Sequence, residues 1–248
     1  MCEAQKEFGG QVAIARKAPL RAEIGKISDW LSSEVARLGV EIRLGVSADA
    51  QLVRSLAPDA VVIASGSSPR RDGFQAISPA VPIAGVDQEH VYTSWEIVGG
   101  TASIGKSAVV LDDLGHYEAI AAVDALFASG VTTVHFVTRY STLGTNLKQT
   151  FSDAPARERF AKHDFTMHPW SRLVSVAGGA AVIQSIDSGS DVTVAADTAV
   201  LVSGNTANAA VADELSDYTG EVVTVGDAYS PRYLTVAIRE SHRKVRVL

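Results

Sequence analysis

Three short clusters in this sequence carry residue types suited to holding a nucleotide. Glu3-Ala4 stands before Gly9-Gly10-Gln11. In dinucleotide-binding folds an acidic residue at the end of a strand accepts hydrogen bonds from the adenosine ribose, and Glu3 is a candidate for that position. A disordered terminus would carry the same residues. Ala64-Ser65-Gly66 closes an apolar run. A turn of small residues lets backbone approach a cofactor closely, and a tight turn with no ligand needs the same residues. Gly226-Asp227-Ala228 follows the apolar run Val222 to Val225 and precedes Pro231-Arg232. Asp227 could accept hydrogen bonds from a flavin's ribityl chain, with the helix N-terminus behind it facing a pyrophosphate. Equally, it could cap that helix.

A fourth cluster, Asp112-Asp113-Leu114-Gly115-His116-Tyr117, falls where a glycine-rich phosphate loop would lie. A dinucleotide needs glycines there so that backbone amides can reach its pyrophosphate. The three glycine positions are instead Asp112, Leu114 and Tyr117. Two carboxylates repel a diphosphate, and Tyr117 keeps helix and strand apart. The carboxylates suit the positive end of the following helix by themselves. The turn therefore argues against NAD(P)H. Arg139, ending the next apolar run, could recognise a 2′-phosphate. With no glycine loop it is expected to be a solvated surface arginine. His163 and His168, beside Pro169 and Trp170, lack helical metal spacing. No Ser/His/Asp constellation or nucleophile elbow is visible. The sequence thus assigns no catalytic and no metal-ligating residue.

The elements that must position these clusters alternate in type. Ile27, Trp30, Leu31, Val35 and Leu38 recur at three- and four-residue spacing and predict an amphipathic helix that Gly39 closes. Val40 to Leu44 alternates and predicts a strand. Pro58 to Ala64 predicts a buried strand. The stretch 68–88 holds three prolines and two glycines and predicts a crossover between domains. Ser107 to Leu111, the acidic turn, Tyr117 to Ser129 and Val131 to Thr138 predict a strand–turn–helix–strand unit with parallel strands. Arg172–Val176, Ala181–Ile186, Val192–Val194 and Thr198–Val202 predict strands, with a hairpin turn at Asp187-Ser188-Gly189-Ser190. Glu221–Val225 predicts a strand, and Leu234–Arg246 the final helix.

Composition narrows the function classes. Apolar residues make up 46% of the 248, enough for a packed core. The net charge is −6 with basic residues scattered, which argues against nucleic-acid or anionic-membrane partners. No apolar run reaches membrane-spanning length, and Met1 to Gly10 lacks the apolar centre of a signal peptide. A cytoplasmic location is expected. Cys2 is the one cysteine, so neither a disulfide framework nor an iron–sulfur cluster can be built within this chain.

Taken in order, these clusters resemble one family. Glu3-Ala4, Gly9-Gly10-Gln11, Pro58 to Ser67 and Pro82-Ile83-Ala84-Gly85 form one set. Asp112 to Tyr117, Val137-Thr138-Arg139, Ser203-Gly204-Asn205, Gly226-Asp227-Ala228 and Pro231-Arg232 form the other. Their order is similar to the C-terminal half of the trimethylamine dehydrogenase and 2,4-dienoyl-CoA reductase family, the old yellow enzyme-like NADH:flavin oxidoreductases. The resemblance implies an α/β fold of two Rossmann-like domains of the FAD/NAD(P)-binding, disulfide-reductase type, one inserted in the other. Residues 1–88 plus 203–248 would form the FAD/ADP-binding-like domain, incomplete at its start, and 89–202 the inserted NAD(P)-binding-like domain. Glu3, Gly10, Gln11, Ala64, Gly66, Gly226 and Asp227 match positions that hold FAD or ADP in the family.

The same resemblance implies a flavin-dependent oxidoreductase, of amine dehydrogenase, demethylase or enoate reductase type. FMN, a 4Fe-4S cluster and the substrate chemistry would sit in a barrel domain or companion subunit outside this chain. An electron-transfer flavoprotein would be a further partner. The family's opening strand and glycine loop are absent before Glu3, so FAD or ADP binding by the isolated chain is expected to be weak. The acidic turn is closer to the dehydrogenase branch than to the NADPH-using reductases. A noncatalytic nucleotide-binding or scaffold module is one alternative, and a stand-alone NAD(P)H-dependent reductase another.

Overall fold

The computed structural model describes residues 1–248. The chain forms two compact units. One comprises Met1–Gly10, Lys26–Ser68 and Asn205–Leu248, the other Gln11–Gly25 and Pro69–Gly204.

The second unit is built on a five-stranded sheet. Its strands lie in the order Val91–Thr93, Thr198–Val202, Ser107–Asp112, Thr133–Thr138 and Asp164–His168. Every neighbouring pair is parallel. Parallel strands need both faces covered, which is why Ala108 to Leu111 and Ala199 to Val202 are apolar without a break. Side chains alternate between the two faces. Ala108, Val110, Val134, Phe136, Val200 and Val202 pack with Ile120, Val123 and Leu126 of the helix Tyr117–Ala128. Val109, Leu111, Val137, Ala199 and Leu201 pack on the other face with Leu173, Val176, Ala181 and Ile183. Those last four come from an antiparallel three-stranded sheet of Ser171–Ala177, Ala180–Ser185 and Asp191–Ala195. The predicted crossover unit and the hairpin around Asp187 to Ser190 are both present.

Helix Tyr117–Ala128 forms because its twelve residues include no glycine or proline, five of them are alanine, and Ile120, Val123 and Leu126 recur every three residues along the face turned to the sheet. Complete burial of Ile120, Val123 and Leu126 contributes roughly 1.5–3 kcal/mol each. Gly130, at φ 89°, takes the left-handed conformation that ends the segment.

The first unit holds two short parallel ladders. Ala60–Ile63 runs in register with Glu221–Thr224. Cys2–Glu3 pairs with Arg43–Leu44. Val53, Ile63, Leu215 and Ala228 form its buried apolar cluster, with helix Ala50–Leu56 and helix Ala210–Glu214 contributing. The C-terminal helix runs from Leu234 to Val245.

Three expectations change here. The strand predicted from Val40 to Leu44 shrinks to Arg43–Leu44, because its partner strand offers only Cys2 and Glu3 for pairing. The strand ending at Ala64 is not buried throughout: Ile63 faces the cluster, while Val62 on the opposite face is 42% exposed. The helix closed by Gly39 spans Lys26–Arg37, but its apolar stripe buries no residue, and Trp30 is 62% exposed. Amphipathic spacing predicts a helix and a face; it does not supply the surface that covers the face.

Candidate functional site

In the first unit the carboxyl ends of Ala60–Ile63 and Glu221–Thr224 lie side by side, extended by a hydrogen bond from Val225 N to Ile63 O of 2.9 Å. Open α/β sheets bind ligands in the crevice beyond such ends. Two of the predicted clusters meet there. After Ile63 the chain passes through exposed Ala64 and turns at Gly66, φ 73°. A Cβ added at Gly66 would meet open space, so the glycine serves the backbone conformation, which L side chains adopt only with strain. Asn208 staples the turn: its N donates to Gly66 O at 3.0 Å and its Nδ2 to Ser65 O at 3.2 Å. Ser65 Oγ donates back to Asn208 O at 2.5 Å.

After Val225 the chain makes a single 3-10 turn, Gly226–Ala228, with Gly226 at φ 58°. Asp227 accepts from Ser67 Oγ at 2.9 Å through Oδ2 and from Arg232 N at 3.1 Å through Oδ1. It does not cap the last helix, whose N-cap is Tyr233. The carboxylate is therefore held at the strand ends rather than spent on a helix terminus.

The remaining candidates lie elsewhere. Glu3 ends its strand half-buried, and its Oε1 accepts from Gln5 N at 2.8 Å. Gly10 is exposed, φ 48°, with open space where a Cβ would stand. Gln11 opens the helix Gln11–Ala15 in the second unit. Thus Ala64, Gly66, Gly226 and Asp227 share one strand-pair end. Glu3 and Gly10 belong to the same unit by way of the other ladder.

The acidic turn of the second unit is closed upon itself. Asp112 Oδ1 accepts from Leu114 N at 3.2 Å and Gly115 N at 2.8 Å. These are turn amides of the kind a phosphate would use. Its Oδ2 is buried with no hydrogen-bond partner, and the residue is 1% exposed. Burial pushes the Asp112 carboxyl up to about 6, against the two N–H donors; the neighbouring Asp113 and Glu118 add to the rise. Burial also raises Asp113, opposed by Ala76 N and Arg139. The tyrosine at position 140 roofs the turn: a Cβ on Gly115 would lie 2.8 Å from its ring.

Two expectations are corrected at this turn. Asp112 and Asp113 do not serve the N-terminal amides of helix Tyr117–Ala128; they bond within the turn and to Ala76 N at 2.7 Å. Arg139 is not a solvated surface arginine. It pairs with Asp113 Oδ1 at 3.0 Å and donates to Tyr140 Oη at 2.6 Å. The reason is electrostatic: a buried carboxylate requires a partner, and the adjoining strand end supplies one.

Sequence spacing did not reveal three features. Ser67 and Asn208, which hold the Ala64–Ser68 turn and Asp227, sit in ordinary polar runs. His135 Nδ1 and His168 Nε2 lie 3.1 Å apart on neighbouring strands, and burial holds both rings below the usual histidine range. Strand register brings these two together, not chain spacing. No group of three or more His, Cys, Asp or Glu side chains is arranged to hold a metal ion. No helix is long and apolar enough to cross a membrane.

No protein-family model matches the chain. It is 35% identical over 134 residues to N,N-dimethylglycine/sarcosine dehydrogenase of Chromohalobacter salexigens, covering 52% of this chain and 18% of that protein. It is 36% identical over 109 residues to NADH oxidase of Thermoanaerobacter brockii, covering 44% and 16%. The matched regions are C-terminal parts of these homologues, which are oxidoreductases, and they span under a fifth of each. Among solved structures, histamine dehydrogenase from Rhizobium sp. 4-9 superposes with a TM-score of 0.92 at 22% identity, covering all of this chain and 39% of that one. Thioredoxin reductase of Lactococcus lactis superposes at 0.63 with 15% identity, covering 99% of this chain and 88% of that one. The fold is that of the FAD/NAD(P)-binding, Rossmann-like oxidoreductases.

Proposed function

We propose that this chain is the nucleotide-binding region, or a nucleotide-binding subunit, of a cytoplasmic flavin-dependent oxidoreductase of amine dehydrogenase, demethylase or enoate reductase type. One observation carries this reading: the Ala64–Gly66 turn and the Gly226–Asp227 turn meet at the carboxyl end of one parallel strand pair, with the Asp227 carboxylate fixed there. The residues fit FAD or ADP. Gly66 has open space where a side chain would stand, and at Gly226 the nearest atom to an added Cβ is 3.6 Å away, so a ligand can approach backbone. The nucleotide domain is assigned to 1–88 plus 203–248 and the inserted domain to 89–202, although segments 11–25 and 69–88 group with the second compact unit.

Each site residue has a role in this reading. Glu3, at its strand end, accepts hydrogen bonds from ribose hydroxyls. Gly10 and Gln11 bring backbone toward the nucleotide, as do Ala64 and Gly66. Asp227 accepts hydroxyl hydrogen bonds beyond Gly226. FAD, when bound, supplies the electron-accepting ring; ADP would be a purely structural ligand. The second unit holds no NAD(P)H, because Asp112 already occupies the Leu114 and Gly115 amides and adds charge that repels a diphosphate. Substrate chemistry, with FMN and a 4Fe-4S cluster, belongs to a barrel domain or companion subunit, and electrons leave to an electron-transfer flavoprotein.

Calorimetric titration with FAD, ADP, NADH and NADPH tests this reading. Weak binding of FAD or ADP and no micromolar binding of NADH or NADPH is the expected result. Micromolar NADH or NADPH binding would overturn the reading of the acidic turn. Absence of both FAD and ADP binding at millimolar ligand would overturn the assignment of the site.

A further inference from the structure

We propose that the strand Asp191–Ala195 pairs edge to edge with the same strand of a second copy of this chain, antiparallel about a two-fold axis at Thr193, joining the two three-stranded sheets into one. Asp191–Ala195 is the outer strand of its sheet and pairs on one side only, with Ala180–Ser185. The register fixes which of its backbone groups face outward. In an antiparallel ladder, bonded and non-bonded residue pairs alternate. Ser185 N donates to Ser190 O at 2.9 Å, and Ala196 N donates to Gly179 O at 2.8 Å. The pairs Ile183–Val192 and Ala181–Val194 fall at two-residue steps between these, so Val192 and Val194 use their N–H and C=O groups within the chain. Asp191, Thr193 and Ala195 direct theirs away from the sheet, and all three residues are exposed.

The opposite edge of the same sheet is closed by the chain itself. Along Ser171–Ala177 the buried Gln75 side chain takes the place of a strand: its Nε2 donates to Leu173 O and its Oε1 accepts from Leu173 N, both at 2.8 Å. Beyond it, Ala84 N donates to Val174 O at 3.0 Å and Ala84 O accepts from Val176 N at 2.9 Å. Asp191–Ala195 has no such cover. It also lacks the usual guards of an edge, having no lysine, no proline and no bulge; its one charged side chain, Asp191, accepts from Gln184 Nε2 at 2.9 Å. The strand is complementary to itself. With Thr193 on the axis, Asp191 stands opposite Ala195 of the other copy, and Val192 opposite Val194 of the other copy. Outward-facing residues thus meet outward-facing residues, and each such pair exchanges two backbone hydrogen bonds. Asp191 opposes an alanine rather than a second carboxylate, so no like charges meet. A two-fold axis perpendicular to the sheet keeps the same face of both copies on one side. On that face Val194 packs at the margin of the core, while Val192 is 46% exposed. The pairing sets each Val192 beside a Val194. A contact of this isologous kind closes after two copies.

A strand of five residues is about 17 Å long, so the added ladder is a small interface and a dimer of micromolar to millimolar strength is expected. The test is sedimentation velocity of the full chain from about 1 μM to about 1 mM, with amide hydrogen exchange at both ends of that range. The dimer should grow with concentration, and exchange at the Asp191, Thr193 and Ala195 amides should slow with it. Val192 and Val194, bonded within the chain, should stay protected throughout. Thr193→Lys sets two ammonium groups against each other at the axis, and Thr193→Pro removes the central N–H without touching the chain's own ladder. Each is expected to weaken the dimer about 10-fold or more. Unchanged thermal unfolding of Thr193→Lys at low concentration shows that the fold is intact. Thr193→Val, which keeps the backbone donor and a β-branched side chain, should leave the dimer as it is. A chain that stays monomeric to about 1 mM overturns the proposal. So does a dimer that Thr193→Lys and Thr193→Pro leave unweakened, or one in which the Thr193 amide exchanges at the same rate at both concentrations.

Discussion

Asp112→Asn isolates the energetics of the acidic turn. In the folded chain the Asp112 carboxyl titrates at about 6, against 3.8 for the free group. The folded state therefore holds this proton more tightly than the unfolded chain does, and protonation favours folding. The contribution is fully present below pH 3.8 and is lost as pH rises through about 6. The full loss is about 3 kcal/mol, taking 1.36 kcal/mol per unit. About half of that loss, roughly 1.4 kcal/mol, falls between pH 5 and pH 7.5 by the same linkage. Asparagine has no charge at either pH. Its Oδ1 can still accept from Leu114 N and Gly115 N. Its Nδ2 would stand where Oδ2 now has no partner, and that cost is the same at both pH values, so it cancels in the comparison. Urea unfolding of both proteins at pH 5 and pH 7.5 gives the double difference. The wild type should lose about 1.4 kcal/mol more than Asp112→Asn on going to the higher pH. The shifts at His135 and His168 are common to both proteins and drop out. Equal pH dependence in the two proteins, or a wild type that gains on the variant as pH rises, would refute the claim that this carboxylate is buried at a cost.

Further outcomes follow from the same packing. Leu126→Ala, in the centre of the second unit's helix-side core, should cost about 2–5 kcal/mol in chemical denaturation, because the fully buried side chain leaves a cavity. Gly115→Ala should cost about 1–3 kcal/mol, combining a left-handed backbone at φ 64° with a Cβ 2.8 Å from the Tyr140 ring; Tyr140→Ala in the same chain should recover part of it, measured as a double-mutant cycle. Glu240→Gln should destabilise the first unit by about 1–3 kcal/mol by weakening its grip on Arg232 and Lys244, read as a lowered unfolding midpoint at low salt.

Much of the second unit was legible in the sequence. Its strands are unbroken apolar runs and its helix is bounded by His116 and Gly130, so period and punctuation agree with the tertiary result. The first unit was less legible. Val40 to Leu44 alternates as a strand should, yet strand length depends on the partner available, and the pattern of one segment cannot show that. The apolar stripe of Lys26–Arg37 marks a helix but not whether its face is covered. At the site, Gly66, Gly226 and Asp227 stand out because glycine and aspartate after an apolar run have few other uses. Ser67 and Asn205 fall inside motifs of the resemblance but receive no role from it, and Asn208 does not stand out, since all three act through contacts more than 130 residues apart in the chain. The Arg139–Asp113 pair was hidden for a similar reason: an arginine 26 positions downstream becomes a neighbour only once two parallel strands align their ends.

Nucleotide binding at the Gly66 and Gly226 turns is tested most directly by amide chemical-shift mapping of the isotopically labelled chain with FAD, ADP and NADPH added in turn. Shifts at Ser65, Gly66 and Gly226 to Ala228 are expected on adding FAD, with NADPH leaving Leu114 and Gly115 unmoved. Shifts at Leu114 and Gly115 with NADPH, or none at Gly66 and Gly226 with FAD or ADP at millimolar concentration, would contradict it.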